Sequence, residues 1–546
     1  MADRSSRKWW ALVAIAASVL VVGLDLTVLN LALPTIANDL HASTSDLQWV
    51  SDAYSLVLAA AMLPAGLLGD RLGRKKVLLV ALVLFGASSA ACAYAGSIGE
   101  LIAARAVLGI GASAIFPLSL SVIPVLFGPE ERQKAIALMA SATFISFPIG
   151  PIVGGYLLDH FWWGSVFLIN VPVVALALVA VAVLLPESRS ELRPSVDGVG
   201  VLLSSAGLAG LTYGFIRAGQ DGWTDVTALA TIAAGAAVLG VFVAFQRRLT
   251  GRERAGTGRV RPLIELGLFR SAAFTWGTLL ATLVSFAMFG IFFAMPQYFQ
   301  EVQGTNAMGS GLRLLPMIGG LVVGMIGSTR LATPRKAPVS GDGASRGGAS
   351  GQPRAPLAGV KGLVAAGFTI MAVALAAGAT TRTATGEGFT AGWLAAFGLG
   401  LGLAMPQTMN AALSALSAER SGSGSAVISA MRQVGATIGV AVLGTVLASV
   451  YRAHLSLEGL PAAAAAEARS SVIAGVGVAH ALSSAALLEE VRNAFVHGVD
   501  TMMWVCGAIA IGCAILGLIF LPRGSDGALA GGADGEIGAE REHLEV

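Results

Sequence analysis

The sequence predicts an all-α polytopic membrane protein with fourteen transmembrane helices. Three observations lead there. Apolar runs long enough to cross a bilayer, which takes roughly 20 residues, recur along the whole chain. The composition is 55% hydrophobic and only 12% charged, whereas an ordinary soluble domain carries about 25% charged residues. The basic residues also alternate between successive loops, as the positive-inside rule requires.

The runs cover roughly 10-33, 47-68, 77-97, 100-125, 135-158, 164-185, 198-216, 226-245, 272-299, 309-331, 359-380, 389-413, 423-450 and 501-521. An even number of spans puts both termini on one side. With the N-terminus inside, 27 of the 35 Lys and Arg fall in inner segments and 5 in outer ones, while Arg105, Arg313 and Arg432 lie within spans. Both termini are therefore expected in the cytoplasm, with the chain crossing the cell membrane many times. Arg4, Arg7 and Lys8 mimic the basic head of a signal peptide, but the apolar run behind them is too long for an h-region and reads as a retained first helix. Cys92, Cys506 and Cys513 sit in apolar runs without metal-ligand or disulfide spacing, so packing is their expected role.

The first span, Trp9 to Pro34, is broken by a single charge, Asp25. An aspartate near the middle of a span costs on the order of 3 kcal/mol on insertion scales, so it needs a partner or a use. A carboxyl at that depth can take up and release protons or meet a cationic substrate. The structural alternative is an acid neutralised by an arginine. Asn30 lies on the same span and is a candidate for lining a cavity.

Between the second and third spans runs Gly66-Leu-Leu-Gly69-Asp70-Arg71-Leu72-Gly73-Arg74-Lys75-Lys76. Gly69 and Gly73 permit close approach and a sharp turn. Asp70 can cap a helix end or pair with an arginine, and Arg71, Arg74 and Lys75 fix the loop on the inner face. This stretch resembles the signature loop of the major facilitator superfamily, whose core is two six-helix halves. In the fourth span, Leu101-Ile-Ala-Ala-Arg105-Ala-Val-Leu-Gly109-Ile-Gly111-Ala112 is similar to the superfamily's arginine motif. In the fifth, Gly150-Pro151-Ile-Val-Gly154-Gly155 resembles its antiporter motif, with Ser146 where that motif usually has glycine. The first span's Leu24-Asp25-x-Thr27-Val28-x-Asn30-x-Ala32-Leu33-Pro34 looks like the 14-helix drug:proton antiporters. The resemblance implies a major facilitator fold, two six-helix halves plus two additional central helices.

Gly150, Gly154 and Gly155 put small residues on one helix face beside a proline, which lets two helices approach closely. Arg105 lies about 8 Å in from the outer end of its span and Asp25 about 14 Å, at 1.5 Å per residue. A long arginine bridges that difference if spans one and four are neighbours, as the family fold implies. Arg105 then takes part in coupling, or is a structural charge satisfied by backbone.

The seventh and eighth spans match the pair that the 14-helix branch inserts between its halves. Behind them, Arg247 to Arg270 holds seven arginines and the run Pro262 to Phe269, expected as a short interfacial helix facing anionic lipid or else a solvated basic linker. Residues 334-356 are Pro-, Gly- and Ser-rich, the composition of a flexible cytoplasmic insert. Its Gly343-Ala-Ser345-Arg-Gly347 matches the hydrolase nucleophile elbow in letters only, because that motif needs a strand-to-helix turn. Gln407 and Asn410 either line a cavity or act as polar glue between helices. Arg432 and Gln433 in the thirteenth span are expected to face protein or a wet cavity rather than lipid. Leu487, Val491 and Phe495 recur every four residues in the outer loop 452-500, an amphipathic approach to the last span.

The chain is thus divided into an N-terminal half (1-197), two linker helices with a basic loop (198-271), a C-terminal half (272-522) and an acidic tail (523-546). The expected function is a proton-coupled antiporter that exports lipophilic, often cationic drugs or antibiotics by alternating access. A dedicated exporter of one self-made natural product is the alternative within transport. A membrane receptor or enzyme is the alternative outside it, and no His, Cys or Ser constellation favours that class. No phosphate-binding loop of the G-x-x-x-x-G-K-[ST] type occurs. The expected partners are small molecules, protons and the bilayer; no cofactor, metal or nucleic acid is expected, the energy source is the proton gradient, and the chain is expected to be a monomer.

Overall fold

A computed structural model describes residues 2–40, 44–188, 197–254, 262–264, 266–332, 359–383, 385–416 and 421–522; within these, the side chains of Asn30 and Pro151 are not described. The expected insert 334-356 and the tail 523-546 fall outside. Among the described residues the chain is built of α-helices with no strand. The N-terminal half holds α1 (Ala2–Leu40), α2 (Thr44–Leu72), α3 (Arg74–Ala93), α4 (Ile98–Leu126), α5 (Pro129–His160), the short α6 (Ser165–Leu168) and α7 (Asn170–Leu184). Next come α8 (Gly198–Asp221) and α9 (Val226–Arg254). The C-terminal half holds α10 (Ala272–Gln297), α11 (Ala307–Arg313), α12 (Leu315–Ala332), α13 (Val360–Gly378), α14 (Glu387–Ser414), α15 (Ser421–His454), α16 (Ala462–Ser470), α17 (Val472–Ala481) and α18 (Ala485–Phe520). Thirteen spans are long and apolar enough to cross a membrane among the described residues. The 32-residue α5 is a further long helix, so the architecture fits about fourteen.

Two expected spans are each split in two. Span 164-185 breaks at Ile169 into α6 and α7, and span 309-331 breaks at Leu314 into α11 and α12. Both breaks precede a proline, Pro172 and Pro316, whose missing N–H leaves a carbonyl four residues back without its helical partner. The last helix is longer than its apolar run: α18 starts at Ala485, capped by Ser484 Oγ, which accepts from Leu487 N–H. Leu487, Val491 and Phe495 are buried along it, as their four-residue spacing predicts.

Within the first half, α1 packs on α5 and α7, α2 on α4, and α3 on α4 and α7; within the second, α12 and α13 pack on α14, and α10 and α18 on α15. The extra helices α8 and α9 pair with each other, and α8 also touches α2 and α15, so it leans on both halves. Of the basic loop after α9, residues 262–264 and 266–270 are described. Leu263 and Ile264 are buried, and a five-residue 3-10 turn, Leu266–Arg270, follows among the described residues. A buried polar pair ties the loop to α9: Gln246 donates to Asp197 at 2.6 Å and accepts from Leu263 N–H at 2.8 Å. A buried amide needs both partners, and the loop supplies one of them.

Candidate functional site

Asp25 lies inside the N-terminal half, on the part of α1 that faces α4 and α7. Arg105 Nη1 donates to Asp25 Oδ2 at 2.5 Å, and both side chains are 1% exposed. Arg105 Nε donates to the Val50 carbonyl at 3.1 Å, and the guanidinium lies over the Tyr54 ring, 4.4 Å from its centroid. Asn170 donates to Asp25 Oδ1 at 3.4 Å and to Ser89 Oγ at 3.0 Å, and Ser89 donates to the Phe167 carbonyl at 3.0 Å. The network therefore ties α1, α2, α3, α4, α6 and α7 together through one ion pair. Breaking a buried pair by removing one partner costs about 3–5 kcal/mol, because it strands the other charge.

The Gly66–Lys76 stretch ends α2 and starts α3. Gly73 adopts φ 110°, and a Cβ there would stand 2.5 Å from Glu187 Oε1, so both the turn and the approach of the segment behind α7 require glycine. Asp70 accepts from Arg74 Nε at 3.2 Å and Nη2 at 2.8 Å, and both residues are buried. Lys75 Nζ donates to the Ala182 carbonyl at 2.7 Å, while Arg74 N–H donates to the Ser188 carbonyl at 2.8 Å. The loop is thus clamped to the end of α7. Gly69 sits against Leu118 of α4, and Arg71 is half-buried at the end of α2.

In α5, Gly150 and Gly154 face α1: a Cβ on Gly150 would lie 1.9 Å from Thr27 Oγ1, and one on Gly154 2.9 Å from Val28 Cγ1. The two helices can touch only because those positions carry no side chain. Gly155 points elsewhere, toward Met308 of α11, which links α5 to the other half. A second contact between halves is Ser425 Oγ of α15, donating to the Pro117 carbonyl of α4 at 3.0 Å.

Between the halves lies a cavity. Gly23, Leu26, Met62, Phe116 and Met139 line it from the first half, and Ser285, Phe289, Met405, Met409, Ser429, Arg432 and Gln433 from the second. Arg432 Nε donates to Ser285 Oγ at 3.2 Å. Of the polar candidates read from the sequence, Arg432 and Gln433 are in the wall. Gln407 is not: it is fully buried and donates to Ser328 Oγ at 2.6 Å, so it joins α14 to α12. Asn410, one turn further on, is not in the wall either.

Asp25 is also absent from the lining, although Gly23 and Leu26 of its own helix are present. This placement departs from the expected contact with a cationic substrate. The Arg105 guanidinium draws the carboxylate into the interior of the half, on another face of α1 from the cavity. Asn170, Ser89 and Tyr54 went unread in the sequence. Asn170 had a signal, a polar side chain two residues before a proline inside an apolar run; a lone serine or tyrosine in such a run carries none.

The Major Facilitator Superfamily profile matches residues 15–440. The chain is similar to the tetracenomycin C resistance and export protein of Streptomyces glaucescens, 34% identical over 524 residues that cover 94% of this chain and 91% of that one. It is similar to the multidrug efflux pump LfrA of Mycolicibacterium smegmatis, 32% identical over 523 residues, covering 94% and 97%. Its fold is similar to that of the proton:xylose symporter XylE bound to 6-bromo-6-deoxy-D-glucose, with a TM-score of 0.58 and 14% identity over 95% of this chain and 97% of that one.

Proposed function

The chain belongs to the major facilitator superfamily, and from that premise we propose that it is a secondary exporter of lipophilic drugs or antibiotics, driven by inward movement of protons across the cytoplasmic membrane. The observation that carries the proton half of this reading is the Asp25–Arg105 pair, an acid held deep in a span by a single cation. When Asp25 takes up a proton, Arg105 loses its counter-charge and must lean on its remaining contacts, the Val50 carbonyl and the Tyr54 ring. That shift changes how α1 and α4 hold each other. Because α1 also abuts α5 through Gly150 and carries Gly23 and Leu26 in the cavity wall, protonation reaches the cavity through helix packing. Alternating access of the two halves around a site between them follows the general scheme for such transporters. The membrane potential contributes about 2.3 kcal/mol per charge per 100 mV, and no cofactor enters the scheme.

Both termini are proposed to be cytoplasmic, from the distribution of basic residues. A second reading, a dedicated exporter of one self-made product, is favoured by the match over 94% of the chain to a protein named for tetracenomycin C resistance and export. The test is efflux of a panel of lipophilic compounds from proteoliposomes under an imposed pH gradient, with and without a protonophore. Proton-driven efflux of several unrelated compounds supports the broad reading, efflux of one scaffold supports the dedicated reading, and efflux that ignores the gradient overturns proton coupling.

A further inference from the structure

We propose that the cavity between the halves selects lipophilic organic anions, carboxylates or ionised phenols, through Arg432. This rests on the export reading above and names its substrate class. Arg432 lies about 12 Å along α15 from Gly424, at 1.5 Å per residue, so its charge is deep in the span rather than at a surface. Its one hydrogen-bond partner among the described residues is neutral, Ser285 Oγ at 3.2 Å, and no described carboxylate pairs with it. The contrast within the same molecule is instructive: Arg105 and Arg74 are each held by an aspartate. An arginine in a membrane span normally faces a partner or a wet cavity, and Arg432 lines the cavity with only its Nε committed, to Ser285, among the described residues.

A second observation points to a ligand. Ser429 Oγ is buried in the same wall without a hydrogen-bond partner. Ser429 is three residues before Arg432 and four before Gln433, so the three side chains share one face of α15. Together they present a cation, a hydroxyl and an amide toward the same space. A guanidinium presents paired N–H donors that match a carboxylate or phenolate oxygen. Around this polar patch the wall is Met62, Met139, Met405, Met409, Phe116 and Phe289. Methionine and aromatic surfaces adapt to flat hydrophobic bodies of varied outline. The combination fits a ligand with a broad apolar body and one acidic group, and a cation would meet Arg432 as a like charge.

The experiment compares two xanthene dyes of similar body and opposite charge, fluorescein (anion) and rhodamine 6G (cation). Binding is read by fluorescence polarisation on purified full-length protein. The wild type is expected to bind fluorescein more tightly than rhodamine 6G. Arg432→Gln is expected to weaken fluorescein about tenfold or more, the order a charged hydrogen bond contributes, with little loss for rhodamine 6G. Arg432→Lys keeps the charge and is expected to restore most of the fluorescein affinity. Equal fluorescein binding by wild type and Arg432→Gln overturns the proposal, as does a wild-type preference for rhodamine 6G or binding of neither dye. If Arg432→Gln does not fold, the wild-type preference decides alone. Proton-driven efflux of rhodamine 6G without fluorescein binding would sink the anion inference and leave the export reading standing; absence of any proton-driven efflux would sink the export reading itself.

Discussion

Arg105 Nη1 meets Asp25 Oδ2 at 2.5 Å in the interior of the N-terminal half, with both side chains almost completely buried. A buried ion pair is weak evidence for stability, since apolar residues of similar volume often serve as well. Its presence in a membrane span therefore points to use. The pair stands behind the cavity wall rather than in it, so the proposed function places proton uptake and substrate binding at separate sites. Under the proposed scheme, the two sites communicate through α1.

Asp25→Asn keeps the size of the side chain and an oxygen that can accept from Arg105, but removes the counter-charge and the titratable proton. The variant is expected to reach the membrane with lower thermal stability, by about 3–5 kcal/mol where the retained amide oxygen offsets none of the lost charge pairing, and to lose protonophore-sensitive efflux. Efflux from cells at matched protein abundance is the measurement. Full proton-driven efflux in the variant would falsify a coupling role for Asp25.

Asp70→Asn tests the loop between α2 and α3. Asn can still accept from Arg74, so the weakening of the buried pair is expected to stay within about 1–3 kcal/mol. Asp70 lies at the end of α2, outside the cavity lining. Transport is expected to slow severalfold while binding of a fluorescent substrate to purified protein stays unchanged. Lost binding in a folded variant would show that loop and cavity are not separable.

Much of this arrangement was legible in the sequence because the bilayer leaves few options: apolar runs became helices, and the lone acid of the first span found the lone arginine of the fourth. The depths of Asp25 and Arg105 differ by only a few ångströms at 1.5 Å per residue, which is within an arginine's reach. What stayed hidden depends on rotation about helix axes. Helical periodicity is uninformative where helices are apolar all round, so nothing in the sequence said that Asp25 turns away from the cavity while Leu26 turns into it. The same blindness left Gln407 open between lining the cavity and joining helices, and its bond to Ser328 Oγ selects the second. The short break before Asn170 was missed although Pro172 announced it.

A cysteine introduced at Ser345 tests the orientation proposed from the basic residues. The surrounding segment 330-361 holds six of the 35 Lys and Arg, the bias of a cytoplasmic loop. Membrane-impermeant maleimide is expected to leave this cysteine unlabelled in intact cells and to label it after permeabilisation. Labelling from outside would reverse the assignment of both termini.

The last prediction concerns the contact of α5 with α1. A Cβ at position 150 would fall 1.9 Å from Thr27 Oγ1 and 2.8 Å from Thr27 Cβ, too close for a rotamer change alone to relieve. Gly150→Ala therefore has to push the helices apart, and overpacking of this kind costs about 1–3 kcal/mol. The displaced helix carries Asp25 and part of the cavity wall, so transport is expected to fall more than stability does. Thr27→Gly removes the opposing Cβ and should open room for the added methyl. The double variant Gly150→Ala with Thr27→Gly is then expected to regain part of the lost thermal stability and transport, giving a favourable coupling of about 0.5–3 kcal/mol between contacting positions. Strict additivity of the two changes, in unfolding temperature and in efflux rate, would mean that α1 and α5 do not meet at these two residues.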